Sequence, residues 1–390
     1  MSSAAGNKWN IERAMREKPP ALHPLAGCDT QTMRAHLEAN SSLSPRTRMQ
    51  RFRAKMVVKL RQPFAAIERL RFAKKVEAYE MPSAPIFIVG HWRSGTTHLH
   101  NLLSHDPQFS FLDFGQTAMP HNMLNKSRHI GRWFISRSLP KERGFDKVEL
   151  TVDSPQEEEM ALGALNPLTY YNVYYFPQNW RRHFDRAIFF DETNEADKDG
   201  FKAAYLTLMK KLAMTNGGRQ LLMKNPPSTA RLTLLKELFP RAKFIYIHRN
   251  PYEVFPSSIK RYPRTYSAFA WQDFENVDLE EMVFYKYDKL LKTYLDQRSQ
   301  IPAEDLVETS YDAVTTKPED EIERIYDALG IPAKTEALEA IRPYLEKKKN
   351  YKRNVHQLTR AQVDRIQSDW AFSLERWPYE IPEGIEVVDP

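Results

Sequence analysis

The chain has 390 residues, enough for one large α/β domain with insertions or for about two to three average domains. A 42% hydrophobic content supports a core and excludes a wholly disordered chain. The one cysteine, Cys28, excludes an intrachain disulfide and any cysteine-based zinc or iron–sulfur site. The net charge of +7 is uneven: residues 1–80 hold 16 Lys/Arg and 7 Asp/Glu, whereas residues 81–390 hold 41 and 43.

The first twenty residues contain no apolar stretch of the kind a secretory signal requires. No apolar run approaches the ~18 residues of a membrane span, so a cytoplasmic protein is expected. Residues 46–79 predict a helix, interrupted near Pro63. Between residues 46 and 75 there are eleven Lys/Arg and a single acid, Glu68. Phe52, Met56, Leu60, Phe64, Ile67 and Leu70 recur at spacings of three and four, so this helix is amphipathic and basic. Its apolar face either packs on the chain's own body or meets a membrane surface or an acidic partner.

From residue 84 the pattern alternates short apolar strands with helices. Ile86-Phe87-Ile88-Val89 reads as a buried strand, followed by a Gly/Ser/Thr turn and a helix through Leu99, Leu102 and Leu103. Leu221-Leu222-Met223 begins a second unit, and Phe244-Ile245-Tyr246-Ile247 is a further strand before a helix at Pro251. Residues 270–300 and 318–350 read as helices. Such alternation implies an α/β fold, a parallel sheet flanked by helices, with an N-terminal helical extension.

The turn Gly90-His91-Trp92-Arg93-Ser94-Gly95-Thr96-Thr97 lies between a strand and a helix. Backbone amides and a helix N-terminus cradle phosphate in that setting. The spacing is that of a P-loop, Gly-x-x-x-x-Gly-Lys-Ser/Thr, except that Thr96 stands where the lysine belongs and the cation is Arg93. Without that lysine, and without a Mg²⁺-binding aspartate at a strand end, an atypical P-loop kinase is the weaker alternative.

Arg93-Ser94-Gly95-Thr96-Thr97 resembles the 5′-phosphosulfate loop of sulfotransferases, enzymes that use 3′-phosphoadenosine 5′-phosphosulfate (PAPS). A second segment agrees: Arg249 follows a strand and Ser257 stands eight residues later, the spacing with which that family holds the donor's 3′-phosphate. A guanidinium offers phosphate a bidentate fork. Lys224, in Leu221-Leu222-Met223-Lys224-Asn225-Pro226-Pro227, is similar to the family's strand-end lysine, which assists the leaving phosphate. Tyr311 resembles its adenine contact. Arg353, in the basic run of residues 347–353, resembles a segment closing over the 3′-phosphate.

The resemblance spans residues 84–360 and implies residues 1–80 as a basic extension and residues 81–390 as a sulfotransferase domain. It implies PAPS as donor, 3′-phosphoadenosine 5′-phosphate (PAP) as product, no metal and a small-molecule acceptor. Nucleic acid is not an expected partner. His98 and Pro226 stand where the cytosolic animal enzymes carry an adenine-stacking aromatic and a catalytic histidine, and the late Gly-rich phosphate segment of those enzymes is absent. The chain is therefore more similar to the bacterial and tyrosylprotein-type branches, whose base is a carboxylate.

The acceptor's proton needs such a base. In Asp153-Ser154-Pro155-Gln156-Glu157-Glu158-Glu159, Ser154 reads as a helix N-cap with Glu157 closing a capping box. Helical spacing puts Glu157 on the face of Met160, Ala161 and Ala164, where desolvation makes a stronger base. Glu159 is less clearly inward. Asp113 is the second candidate and His121 the third. The aromatic run from Leu165 to Phe176 lines an acceptor pocket for a sterol, lipid or phenol, or else packs in the core.

Overall fold

The computed structural model describes residues 11–138, 151–348 and 356–389. Its centre is a five-stranded sheet with strand order β2-β3-β1-β4-β5. The strands are β1 (Ile86–Val89), β2 (Phe109–Ser110), β3 (Gln220–Lys224), β4 (Lys243–His248) and β5 (Leu306–Ser310). All pair in parallel, which is the α/β architecture the alternating pattern implies. A small parallel pair, β6 (His356–Thr359) and β7 (Ile385–Val388), lies outside this sheet.

Strand side chains alternate between faces, and the sheet separates two cores accordingly. Phe87, Val89, Leu221, Met223, Phe244 and Tyr246 pack with the larger core, which includes the Pro251–Phe269 and Leu279–Arg298 helices. Ile86, Ile88, Leu222, Ile245, Ile247 and Val307 face the other way, onto the Thr96–Leu103 and Pro318–Leu329 helices. Register aligns Ile88 with Lys224 and His248 with Ser310, so the strand ends meet at one edge.

The N-terminal segment is built into the larger core through Leu25, Ala26, Cys28, Met33, Ala54 and Val58. His23 stacks on Trp271 at 4.2 Å, and its Nε2–H donates to the Phe269 carbonyl at 2.9 Å. The helix Arg48–Glu77 runs without a break through Pro63, contrary to the expected interruption. Contacts on both sides of the proline explain this. Gln50 accepts from Trp271 Nε1 at 3.0 Å, and Arg61 donates to the Ala26 carbonyl at 2.8 Å. Buried Glu68 pairs with Lys211 at 2.7 Å and accepts from the Leu124 amide. Together they outweigh a proline cost of about 3 kcal/mol.

These contacts use a face that mixes polar and small apolar side chains. Gln50, Ala54, Val58, Glu68 and Val76 are buried, while the stripe of Phe52, Met56, Leu60, Phe64, Ile67 and Leu70 is exposed. The stripe therefore does not pack on the chain's own body.

Burial drives the His23 pKa down from 6.5 to about 3. Its Nδ1 accepts from the Leu25 amide at 3.1 Å while Nε2–H donates, which only the neutral ring can do. A depressed folded pKa means stability that is full above pH 6.5 and lost as pH falls through the folded value. About 2 kcal/mol of it should be gone by pH 5. Urea titrations at pH 7 and pH 5 should show a shallower pH dependence in His23→Gln than in the parent, from a lower starting stability.

Candidate active site

The turn after β1 is shaped by two glycines. Gly90 has φ +149°, and a Cβ there would overlap the Ile247 carbonyl oxygen on β4; its amide donates to Thr229 Oγ1 at 2.7 Å. Gly95 has φ +100° and sits against the Tyr311 ring, with no room for a side chain. Between them Arg93 adopts φ +74°, a costly backbone for a residue with a side chain. Ser94 Oγ donates to the His91 carbonyl at 2.7 Å, bracing the turn from within. Thr96 and Thr97 open the Thr96–Leu103 helix, whose first amides have no intrahelical acceptor and face back into the turn.

Arg93 Nε donates to Ser257 Oγ at 2.8 Å, and Arg249 Nη1 donates to the Arg93 carbonyl at 3.3 Å. The Arg249 guanidinium lies 4.2 Å from the Tyr311 ring centre. Glu253, one helical turn on, takes Arg249 Nη2 at 2.8 Å and Nε at 3.2 Å. Among the described residues Arg249 thus uses three of its five N–H donors, which leaves two for an anion. Arg93, Arg249, Ser257 and Tyr311 come from three segments, and parallel register brings them together: Arg249 and Tyr311 each follow the last residue of neighbouring strands.

At the other end of the turn Lys224 ends β3. Its side chain is only 2% exposed, and its ammonium lies 2.7 Å from Glu157 Oε1 and 3.5 Å from Thr97 Oγ1. Glu157 is 23% exposed, so a solute can reach the carboxylate that the lysine holds. The helix begins at Glu158, not at Pro155, and Glu157 is its N-cap residue without a side-chain capping bond. Ser154 Oγ instead accepts from the Thr151 amide at 2.9 Å, so the expected capping box is absent.

Glu159, expected to be less inward, is fully buried. It pairs with Arg231 at 2.9 Å and accepts from the Tyr170 amide at 2.7 Å and from Asn225 Nδ2 at 2.8 Å. Asn225 follows Lys224, so this buried pair ties the start of the Glu158–Leu165 helix to the end of β3 and sets Glu157 against Lys224. Glu158 accepts from the Tyr205 hydroxyl at 2.7 Å, and burial lifts its carboxyl to about 7.

Asp113 caps the Phe114–Ala118 helix and pairs with Arg132 at 2.7 Å. It lines a cavity of about 190 Å³ with Gln116, Asn122, Arg128 and Arg132, to which no residue of the 90–97 turn contributes. His121 Nε2–H donates to the Ala164 carbonyl at 3.0 Å, and burial lowers its pKa. Neither is joined to Lys224. The aromatic run is core: Tyr170, Tyr171, Tyr174, Tyr175 and Phe176 are all buried. Arg353 lies outside the described residues.

One supporting element has no signature in the local sequence. Trp92, inside the turn, stacks on Tyr170 at 4.4 Å, and the buried Lys286 ammonium lies 4.5 Å from the Trp92 ring centre. Lys286 donates to the Tyr170 and Tyr262 hydroxyls, and burial pushes its pKa well down. This cage underpins the turn from beneath. The site as a whole can hold two separated anionic groups, with an acid–base pair at one end.

A family model described as "Sulfotransferase family" matches residues 85–336. The chain is 27% identical over 316 residues to omega-hydroxy-beta-dihydromenaquinone-9 sulfotransferase Stf3 of Mycobacterium bovis and of Mycobacterium tuberculosis, covering 80% of each chain. The fold is similar to that of sulfotransferase STF9 from Mycobacterium avium, with a TM-score of 0.69 at 18% identity over 96% of both chains. It is also similar to STF1 from Mycobacterium tuberculosis, with a TM-score of 0.61 at 15% identity over 80% of this chain and 85% of that one.

Removing Arg231 leaves the Glu159 carboxylate buried without its counter-ion. Arg231→Met should lower unfolding free energy by about 3–5 kcal/mol in urea titrations. Adding Glu159→Gln should recover part of that loss by removing the charge.

Proposed function

We propose, from the premise that this chain belongs to the sulfotransferase family, that it transfers a sulfuryl group from PAPS to the hydroxyl of a lipid-type acceptor. Sulfuryl transfer is the family's activity; the donor's identity, the residue roles and the acceptor are this reading's own. The observation that carries it is the convergence of Arg93, Arg249, Ser257 and Tyr311 on one end of the turn with the Lys224–Glu157 pair at the other. PAPS has matching parts: a phosphosulfate, a ribose 3′-phosphate and an adenine. It supplies an activated sulfuryl group on a phosphate leaving group.

Arg93, the Ser94–Thr97 amides and the two threonine hydroxyls hold the 5′-phosphosulfate. Arg249 and Ser257 hold the 3′-phosphate, and Tyr311 offers a flat face to adenine. Glu157 takes the acceptor's hydroxyl proton as that oxygen bonds to sulfur. Lys224 neutralises the charge left on the phosphate oxygen as the sulfur–oxygen bond breaks. The ion pair aims the Glu157 carboxylate before the acceptor arrives. The missing P-loop lysine fits this donor better than a β,γ-phosphate, so the kinase reading is set aside.

The lipid class of the acceptor is supported by the relatives that act on omega-hydroxy-beta-dihydromenaquinone-9. Incubation of the protein with labelled PAPS and panels of hydroxylated lipids, sterols, phenols and sugars tests it; label should transfer to the lipids, and transfer confined to sugars would refute the lipid class.

Calorimetry should show PAP binding with a strong preference over adenosine 5′-phosphate. Arg249→Ala should cut that preference by about tenfold to a hundredfold, the worth of a charge-assisted contact; an unchanged preference would remove Arg249 from the 3′-phosphate site. Glu157→Gln should lower kcat by about 10²–10⁴ with PAP affinity little changed.

A further inference from the structure

Two helices present large apolar side chains to solvent. On Arg48–Glu77 the exposed stripe includes Leu60 at 68% and Leu70 at 85% exposure. On Arg128–Ser138 it is Ile130 at 62%, Trp133 at 50% and Phe134 at 61%. The helices adjoin. Asn125, just before the second, donates to the Phe64 carbonyl of the first at 3.0 Å, and the Leu124 and Asn125 amides donate to Glu68. An apolar surface of this breadth is unusual on a soluble monomer and marks an interaction face.

Its charge identifies the occupant. Arg53, Lys59, Arg71 and Lys74 flank the stripe, are exposed, and have no ion pair among the described residues. Glu68, the single acid between residues 46 and 75, is buried and paired with Lys211. Arg137 lies 3.7 Å from the Trp133 ring centre, placing a cation and an indole together, as suits the boundary between lipid headgroups and acyl chains. No helix among the described residues is long and apolar enough to cross a membrane, so the face would lie on a bilayer and not span it. We infer that the exposed face shared by the Arg48–Glu77 and Arg128–Ser138 helices docks onto an anionic lipid surface.

The apolar stripe enters the headgroup–acyl boundary while the flanking cations meet anionic headgroups. Docking goes beyond the proposed reaction and does not depend on it, since none of these residues belongs to the donor site or the Lys224–Glu157 pair. It would hold the protein where a lipid-type acceptor resides.

Co-sedimentation of the full chain with phosphatidylcholine vesicles, with and without phosphatidylglycerol, tests it. The protein should pellet with the phosphatidylglycerol vesicles, and added salt should weaken pelleting. Leu60→Asp with Leu70→Asp should lower partitioning by at least about tenfold, because each removes buried hydrocarbon. Lys59→Glu with Arg71→Glu should lower it by at least about fivefold per cation on anionic vesicles. PAP binding by each variant should equal that of the parent, which separates loss of docking from misfolding and from failure of the donor site.

Failure of the parent to pellet would overturn the inference. So would pelleting that survives both aspartates, which would mark a general polyanion binder. Dimerisation in the ultracentrifuge that Leu60→Asp with Leu70→Asp abolishes would assign the face to a second copy instead.

Discussion

The close approach of Gly90 to β4 is the constraint on which the site rests. A side chain there would collide with the Ile247 carbonyl, and Ser94 Oγ would lie only 2.9 Å from its Cβ. Because the backbone can lie flat against the neighbouring strand, the turn projects its amides over the strand ends. Arg93 then reaches Ser257 on the helix that follows β4, and Arg249 reaches back to the Arg93 carbonyl. Gly95 repeats the arrangement one strand further out, against Tyr311. Two missing side chains thus let three strand-end segments share one binding surface.

Charge is organised around that surface by pairing. Arg249 is backed by Glu253, Lys224 by Glu157 and Arg231 by Glu159. A buried cation loses hydration, so a nearby carboxylate offsets that loss and holds its geometry before a ligand arrives. Lys286 is treated differently. It has hydroxyls and aromatic faces around it and no carboxylate among the described residues, and burial disfavours its charged form. Arg53, Lys59, Arg71 and Lys74 on the Arg48–Glu77 helix form a third class, exposed and without an ion pair among the described residues, suited to a surface and not to a small anion.

The parts legible in the sequence were those carried by neighbouring residues. Four-residue apolar runs marked β1 and β4, and a glycine-bounded turn before a helix marked the anion loop. The pairing of Arg249 with Ser257 came from the resemblance, and the strand end and first helical turns fix their relation locally. Lys224 was legible as a strand-end cation. The helix through Pro63 was misread because local proline chemistry predicts a break, while contacts from Trp271, Ala26, Lys211 and Leu124 on distant segments sustain the helix.

The run Glu157-Glu158-Glu159 shows the limit most clearly. Three adjacent carboxylates have the same intrinsic chemistry, and their separation into a partly exposed partner of Lys224, a buried carboxyl lifted to about 7 and a buried partner of Arg231 depends on groups 47 to 72 residues away. By itself the sequence determined the strand–turn–helix units and the cations at their ends, because those follow from short-range spacing. Only the tertiary structure decided which carboxylate meets Lys224, that the aromatic run packs inside, and that the apolar stripe of the basic helix faces outward. Each of those depends on which distant surface covers a side chain, and local periodicity carries no information about that.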